Sequence, residues 1–177
     1  WLSEAKLVLT GRSEPDTAQA EKIAHLQELG AEVLYLAADV ARAEDMARVT
    51  GELRERFGRL DGVIHSAGVT RDANILQKEP RELEAVFAAK IQGTVNLDLA
   101  TKEDDLDFFV LFSSLTALTG NAGQSDYAYA NSFMDYFAGQ RNRLAEQGER
   151  FGNTLAVNWP LWRDGGMQID QALQDFL

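Results

Sequence analysis

Short apolar runs alternate with helix-length stretches along the whole chain, and this alternation limits the available folds more than any other feature of the sequence. Lys6 to Thr10 (KLVLT) is a nearly continuous apolar run that stops at Gly11. Ala18 to Leu29 has helical spacing, with Ile23, Leu26 and Leu29 on one stripe and Gly30 as its C-terminal stop. Glu32 to Ala37 (EVLYLA) predicts a second strand and Glu44 to Phe57 a second helix, ended by Gly58. Gly62 to His65 (GVIH) predicts a third strand, closed by Ser66, Ala67 and Gly68. A long helix follows from about Pro80 to Thr101, its first turn suited by Pro80 and Glu82. Asp107 to Phe112 (DFFVLF) is a fourth strand, SDYAYANSFMDYFA from Ser125 to Ala138 another helix, and Asn153 to Asn158 a fifth strand.

Strands apolar on both faces, separated by helices of about ten or more residues, imply a parallel sheet covered on both sides. Right-handed crossovers then give an α/β, Rossmann-like, doubly wound layer structure. The 177 residues, 45% of them hydrophobic, suffice for one ordinary core and read as a single domain or most of one. A net charge of −11, with no cluster of Lys and Arg, argues against nucleic acid or an anionic membrane as partner. No apolar run approaches the roughly 20 residues needed to span a bilayer, no signal peptide is legible, and a cytoplasmic location is expected. The chain has no cysteine, and its two histidines, His25 and His65, lie far apart, so no metal site is expected.

Ligands of such sheets bind beyond the carboxyl ends of the strands, so the residues just after each strand carry the functional question. Gly11, Arg12 and Ser13 follow the first strand. Glycine permits a tight turn, and an arginine beside a hydroxyl can hold a phosphomonoester by charge-assisted hydrogen bonds; a surface arginine in a turn is an equal alternative. Asp39 and Val40 follow the second strand, where a carboxylate can accept from an adenine amino group or simply cap a helix. Ala67 and Gly68 follow the third, as a close approach for a flat ligand or as a generic turn. The fourth strand ends in Ser113 and Ser114, then a loop with Gly120 and Gly123, then the helix carrying Tyr127 and Asn131. Those two are four residues apart and project from one face, beside the serine at the strand end.

FSSLTALTGNAGQSDYAYANSFMDYFA closely resembles the active-site region of ketoreductase domains from modular polyketide synthases, a branch of the short-chain dehydrogenase/reductase superfamily. LVLTGRS, AADV, DGVIHSAGV, KIQGTVNLD and LAVNWPLW extend the resemblance, in the family's order, over essentially all 177 residues. The resemblance implies that Tyr127, Ser114, Lys90 and Asn131 are the catalytic residues. It implies NADPH as cofactor, with Arg12 and Ser13 at the adenosine 2'-phosphate, Asp39 and Val40 at the adenine, Gly11, Ala67 and Gly68 lining it, and Pro160, Leu161 and Trp162 bordering the nicotinamide. An ammonium near the phenol is expected to lower its pKa and make Tyr127 a usable general acid. Lys90 would supply that charge, Ser114 would hold the ketone oxygen, and Asn131 would orient the lysine or a relaying water.

The implied activity is reduction of a β-ketoacyl group on an acyl carrier protein during polyketide biosynthesis, alongside neighbouring synthase domains. Asp72 and Gln124 are the expected substrate-orienting residues. Thr70-Arg71-Asp72 keeps the last aspartate of the LDD motif that marks formation of the D-configured (B-type) alcohol. Thr119 stands where the opposite class has a tryptophan, so the D-alcohol is expected. The tail NWPLWRDGGM is most similar to synthases whose acyltransferase is a separate protein. The family's first strand and GxGxxG loop should precede Trp1, and the expectation is an N-terminally truncated catalytic domain spanning 1–177, with Trp1 to Ala5 the end of a helix. Two alternatives stand beside this: a free-standing short-chain dehydrogenase acting on a small ketone or alcohol, and a non-reducing ketoreductase fold kept for structural contacts.

Overall fold

The computed structural model describes residues 4–162. Five strands, β1 (Lys6–Gly11), β2 (Glu32–Ala37), β3 (Gly62–His65), β4 (Phe108–Ser114) and β5 (Asn153–Trp159), alternate with helices, and every pairing is parallel. The helices are α1 (Thr17–Glu28), α2 (Ala43–Phe57), α3 (Pro80–Phe87), α4 (Gly93–Ala100), α5 (Thr116–Thr119) and α6 (Ser125–Glu146). Strand positions agree with the sequence expectation to within two residues at each end. Of the expected helix end at Trp1 to Ala5, Trp1 to Ser3 lie outside the described residues, and Glu4 sits in a turn that leads through Ala5 into β1.

Three features differ from the expectation. The strands form two parallel sheets, β1–β2 and β3–β4–β5, because the inner edges of β1 and β3 are not hydrogen-bonded to each other. A cleft of ≈ 280 Å³ lies between them, lined by Val8, Val40, Met46, Val63 and Leu97 among others. With one edge unpaired, β1 and β2 bury no residue fully, and α1, which rests on β2, keeps Ile23 and Leu26 only partly covered and Leu29 exposed. The long central helix is also interrupted: α3 and α4 are joined by a π-helical turn, Ala88–Gln92, that contains Lys90. π turns inside α-helices recur at functional sites, because the extra residue re-aims a side chain. Finally, the loop expected after β4 holds the short helix α5.

The main core sits between the three-stranded sheet and α6. Phe109 and Leu111 alternate inward from β4 and pack with Val63, Leu106, Met134 and Ala138. Burying each such side chain stabilises by about 1.5–3 kcal/mol. A smaller cluster of Val86, Tyr127 and Ala130 forms where α3 crosses α6, with Val69 and Ile91 against it. Tyr127 is therefore packed as well as placed: its ring is core, and only its hydroxyl end is left for chemistry. Tyr129, two residues on, is exposed, as helical geometry requires.

Candidate active site

The carboxyl ends of β3, β4 and β5 and the first turn of α6 enclose a cavity of ≈ 470 Å³, lined by Ser66, Gly68, Arg71, Lys90, Ser113, Tyr127, Trp159, Pro160, Leu161 and Trp162, among others. Tyr127 and Lys90 are both buried there, and Lys90 Nζ lies 5.3 Å from the centroid of the Tyr127 ring, within cation–π range. The side chains of Ser114 and Asn131 lie near enough to the Tyr127 hydroxyl to favour its ionised form. Asn131 is fully buried at 0% exposure, and its Nδ2 donates to the Tyr127 carbonyl at 2.7 Å.

Two serines end β4, and their partners separate them. Ser113 Oγ donates to the Asn131 carbonyl at 3.3 Å and accepts from Asn158 Nδ2 at 3.2 Å, so it is committed to holding α6 on the sheet. Ser114 Oγ accepts from the Thr116 amide at 3.3 Å, donates to no partner among the described residues, and lies near the Tyr127 hydroxyl. Asn158 also donates to the Ser114 carbonyl and to Asp135; its role as the bracket beneath both serines has no legible sequence signal.

The electrostatics correct one expectation. Burial raises the Tyr127 pKa above its ordinary value; the polar side chains of Asn131 and Ser114 offset this in part, and the nearby Asp72 charge adds to the rise. Burial outweighs the pull of Lys90, whose Nζ donates to the Phe112 carbonyl at 2.9 Å and sits at the ring instead of the phenol oxygen. Burial also pulls the Lys90 pKa down to about 8, opposed by Asp135. His65, beneath the π turn, is held neutral at about 4 by burial and by the Lys90 charge.

The Lys90 shift has a signed consequence. Its folded pKa lies below the unfolded value of 10.5, so between about 8 and 10.5 the unfolded chain binds the extra proton. Stability relative to Lys90→Met therefore rises with pH across that window. Over the same range the site loses its ammonium, so kcat/KM of the wild type should fall as pH passes about 8. A pH–rate profile checks this: the low residual activity of Lys90→Met should show no descending limb there.

The expected cofactor residues fall into two groups. Pro160, Leu161 and Trp162 line the cavity, where Trp162 meets Trp159 edge-on at 4.8 Å between centroids and Phe112 completes an aromatic wall. Gly68 forms the floor, and a Cβ there would lie 2.9 Å from Lys90 Cε. A side-chain-free floor under an aromatic wall fits a planar nicotinamide ring. Gly11, Arg12, Ser13, Asp39 and Val40 lie instead at the ends of β1 and β2, and Ala67 lines the cleft between the sheets. Arg12 is exposed and makes no hydrogen bond or ion pair among the described residues.

A Cβ at Gly11 would meet the Tyr35 hydroxyl, which donates to the Ser13 carbonyl at 2.7 Å, and the end of that side chain would have to give way. Tyr35, absent from the sequence expectation, thus shapes the Arg12–Ser13 turn. Asp39 Oδ1 accepts from the Ala41 amide at 3.0 Å, and Val40 packs over Gly93. Asp72 and Gln124, 52 residues apart, do meet: Gln124 Nε2 donates to Asp72 Oδ2 at 2.8 Å. The tail beyond Trp162, including RDGGM, lies outside the described residues.

The family model described as "KR domain" matches residues 2–164. The chain belongs to the KR domain family. This KR domain is 47% identical over 167 residues to polyketide synthase PksN of Bacillus subtilis, covering 94% of the chain and 3% of that protein. It superposes on the crystal structure of a ketoreductase domain from the bacillaene assembly line with a TM-score of 0.95 at 42% identity, covering 98% of the chain and 42% of that one. An A1-type ketoreductase gives a TM-score of 0.86 at 36% identity, covering 98% of the chain and 35% of that one. The chain thus spans only a small part of the curated synthases it matches, and under half of the solved ketoreductase chains.

Proposed function

We propose that this KR domain reduces the β-ketone of an acyl chain carried on an acyl carrier protein, with NADPH as reductant, during polyketide biosynthesis. The observation that carries the reading is the convergence of Tyr127 and Lys90 in the lining of one aromatic-walled cavity, with Ser114 and Asn131 beside the Tyr127 hydroxyl. NADPH, when bound, supplies the hydride that no side chain can. Ser114 donates a hydrogen bond to the ketone oxygen, where negative charge develops. Tyr127 delivers its proton to that oxygen, completing the alcohol, and the Lys90 ammonium beside its ring favours the phenolate left behind. A buried phenol with a raised pKa keeps its proton until that charge appears, which suits a general acid. The partners are the carrier protein and the neighbouring synthase domains.

The product is the D-configured alcohol. Support comes from Asp72, held by Gln124 beside the first turn of α6, and from Thr119 in place of a tryptophan. Overall shape does not bear on this choice, since an A1-type structure superposes closely too. Among the described residues no helix is long and apolar enough to cross a membrane, in keeping with a cytoplasmic synthase.

The test uses the full-length parent synthase with a β-ketoacyl thioester. NADPH should be consumed with formation of the D-alcohol, and NADH used far less well. Arg12→Ala should raise the KM for NADPH about tenfold or more while leaving NADH turnover unchanged, as expected for loss of a charge-assisted phosphate contact. A parent that consumes neither nucleotide would leave the domain a structural one, and an L-alcohol product would refute the reading of Asp72.

A further inference from the structure

Lys78 and Asp126 form an ion pair that the ketone-reduction chemistry does not use. Their side chains are 2% and 1% exposed, and Lys78 Nζ donates to Asp126 Oδ1 at 2.8 Å. Buried pairs are expensive in desolvation, and well-packed apolar residues of similar volume usually stabilise a core at least as well. A buried pair therefore calls for an account in terms of geometry as well as stability. The geometry is specific. The same ammonium donates to the Arg71 carbonyl at 2.5 Å, so Lys78 folds the segment 71–78 back on itself. The same carboxylate oxygen accepts from the backbone amide of Tyr127 at 2.9 Å. One chain of hydrogen bonds thus runs from the Arg71 backbone through Lys78 and Asp126 to the backbone of Tyr127.

Two further contacts tie the same pair of segments: the Ala73 amide donates to the Gly123 carbonyl at 3.0 Å, and Gln124 donates to Asp72. The Gln124–Asp72 bond is exposed, where water competes, and Ala73 and Gly123 are only partly buried; the ion pair is the tie that water hardly reaches. Arg71 lines the cavity across from Tyr127. The distance between that wall and the tyrosine hydroxyl sets how a ketone is turned when its oxygen reaches the proton donor.

We propose that Lys78 and Asp126 are positioning residues for the reduction: their buried pair fixes the 71–78 segment against the first turn of α6 and so determines which face of the ketone is presented. The proposal rests on the ketoreductase reading above. It assigns a task to two residues that touch neither the reacting atoms nor the cavity.

The experiment compares the full-length parent synthase with two variants, reading melting temperature, kcat, KM and the ratio of alcohol epimers. Lys78→Met/Asp126→Asn removes both charges yet leaves an acceptor for the Tyr127 amide. It should melt near the wild type, lower kcat about 100-fold, change KM for NADPH by no more than about twofold, and reduce the epimer ratio about tenfold or more. Asp126→Glu keeps the charges and lengthens the tie by one methylene; it should stay folded and shift the epimer ratio in the same direction. A double variant with wild-type melting, kcat and epimer ratio would show the pair to be structural and overturn the proposal. Should the double variant fail to fold, an unchanged epimer ratio in Asp126→Glu overturns it. A wild type that makes no alcohol overturns the functional reading first and this proposal with it, and that arm is scored before either variant.

Discussion

Tyr127→Phe should lower kcat roughly 10²- to 10⁴-fold, the usual contribution of a positioned general acid, with melting temperature almost unchanged. The two outcomes are separable because the ring and the hydroxyl have different tasks. The ring packs with Val86 and Ala130 where α3 crosses α6, and phenylalanine fills the same space. The hydroxyl lies at the cavity beside Ser114 and Asn131, so its loss strips the site of its proton source and leaves the core intact. The Lys90 ammonium stays 5.3 Å from the ring centroid, so cofactor affinity should be preserved and KM for NADPH little altered. Steady-state NADPH oxidation by the parent synthase, with a β-ketoacyl thioester as substrate, measures both. Equal rates in wild type and variant would remove Tyr127 from the mechanism.

The largest effect on stability should come from Asp98→Ala. Asp98 accepts from Arg141 Nε and Arg150 Nε, each at 2.9 Å, and from Arg150 Nη2 at 2.9 Å. Arg141 is buried, its guanidinium carbon 4.7 Å from the centroid of the Phe109 ring, and its Nη1 donates to the Phe151 carbonyl and to Thr154. This cluster fastens α4, α6 and the start of β5 at the end of the sheet away from the cavity. Alanine at 98 leaves a buried guanidinium without its counter-charge, which costs about 3–5 kcal/mol and lowers the melting temperature by roughly 10 °C or more. Denaturant unfolding of wild type and variant side by side gives the difference. Asp98→Leu/Arg141→Leu, which removes both charges, should recover much of the loss. A single variant within about 0.5 kcal/mol of wild type, the range of an ordinary surface substitution, would refute the assignment.

How much was legible beforehand varies from element to element. The runs KLVLT, EVLYLA, GVIH and DFFVLF each became a strand within two residues of its expected ends, because an apolar run broken by glycine is a local signal. Tyr127 and Asn131 could be paired from sequence, since an i, i+4 relation on a helix is fixed by its 3.6-residue period. Asp72 with Gln124 came from the family resemblance, and the 2.8 Å contact gives it a geometry. The path of Lys90 was not readable: a regular helix was expected, and the π turn that turns its side chain under the tyrosine depends on packing against His65 and α6. Tyr35, Asn158 and the pair Lys78–Asp126 were missed for a shared reason, as each acts through partners 22 to 48 residues away.

By itself, then, the sequence determined the order and type of the elements, the crevice end of the sheet, and the residue types that meet there. Those follow from periodicities of two and 3.6 residues and from glycine punctuation, which act over a few residues. Tertiary structure alone decided the division into two sheets, the π turn at Lys90, and the direction of the Tyr127 shift. The physical reason is that edge pairing, desolvation and hydrogen-bond partnership depend on neighbours in space, and burial outweighs the expected pull of the lysine because Lys90 spends its hydrogen bond on the Phe112 carbonyl.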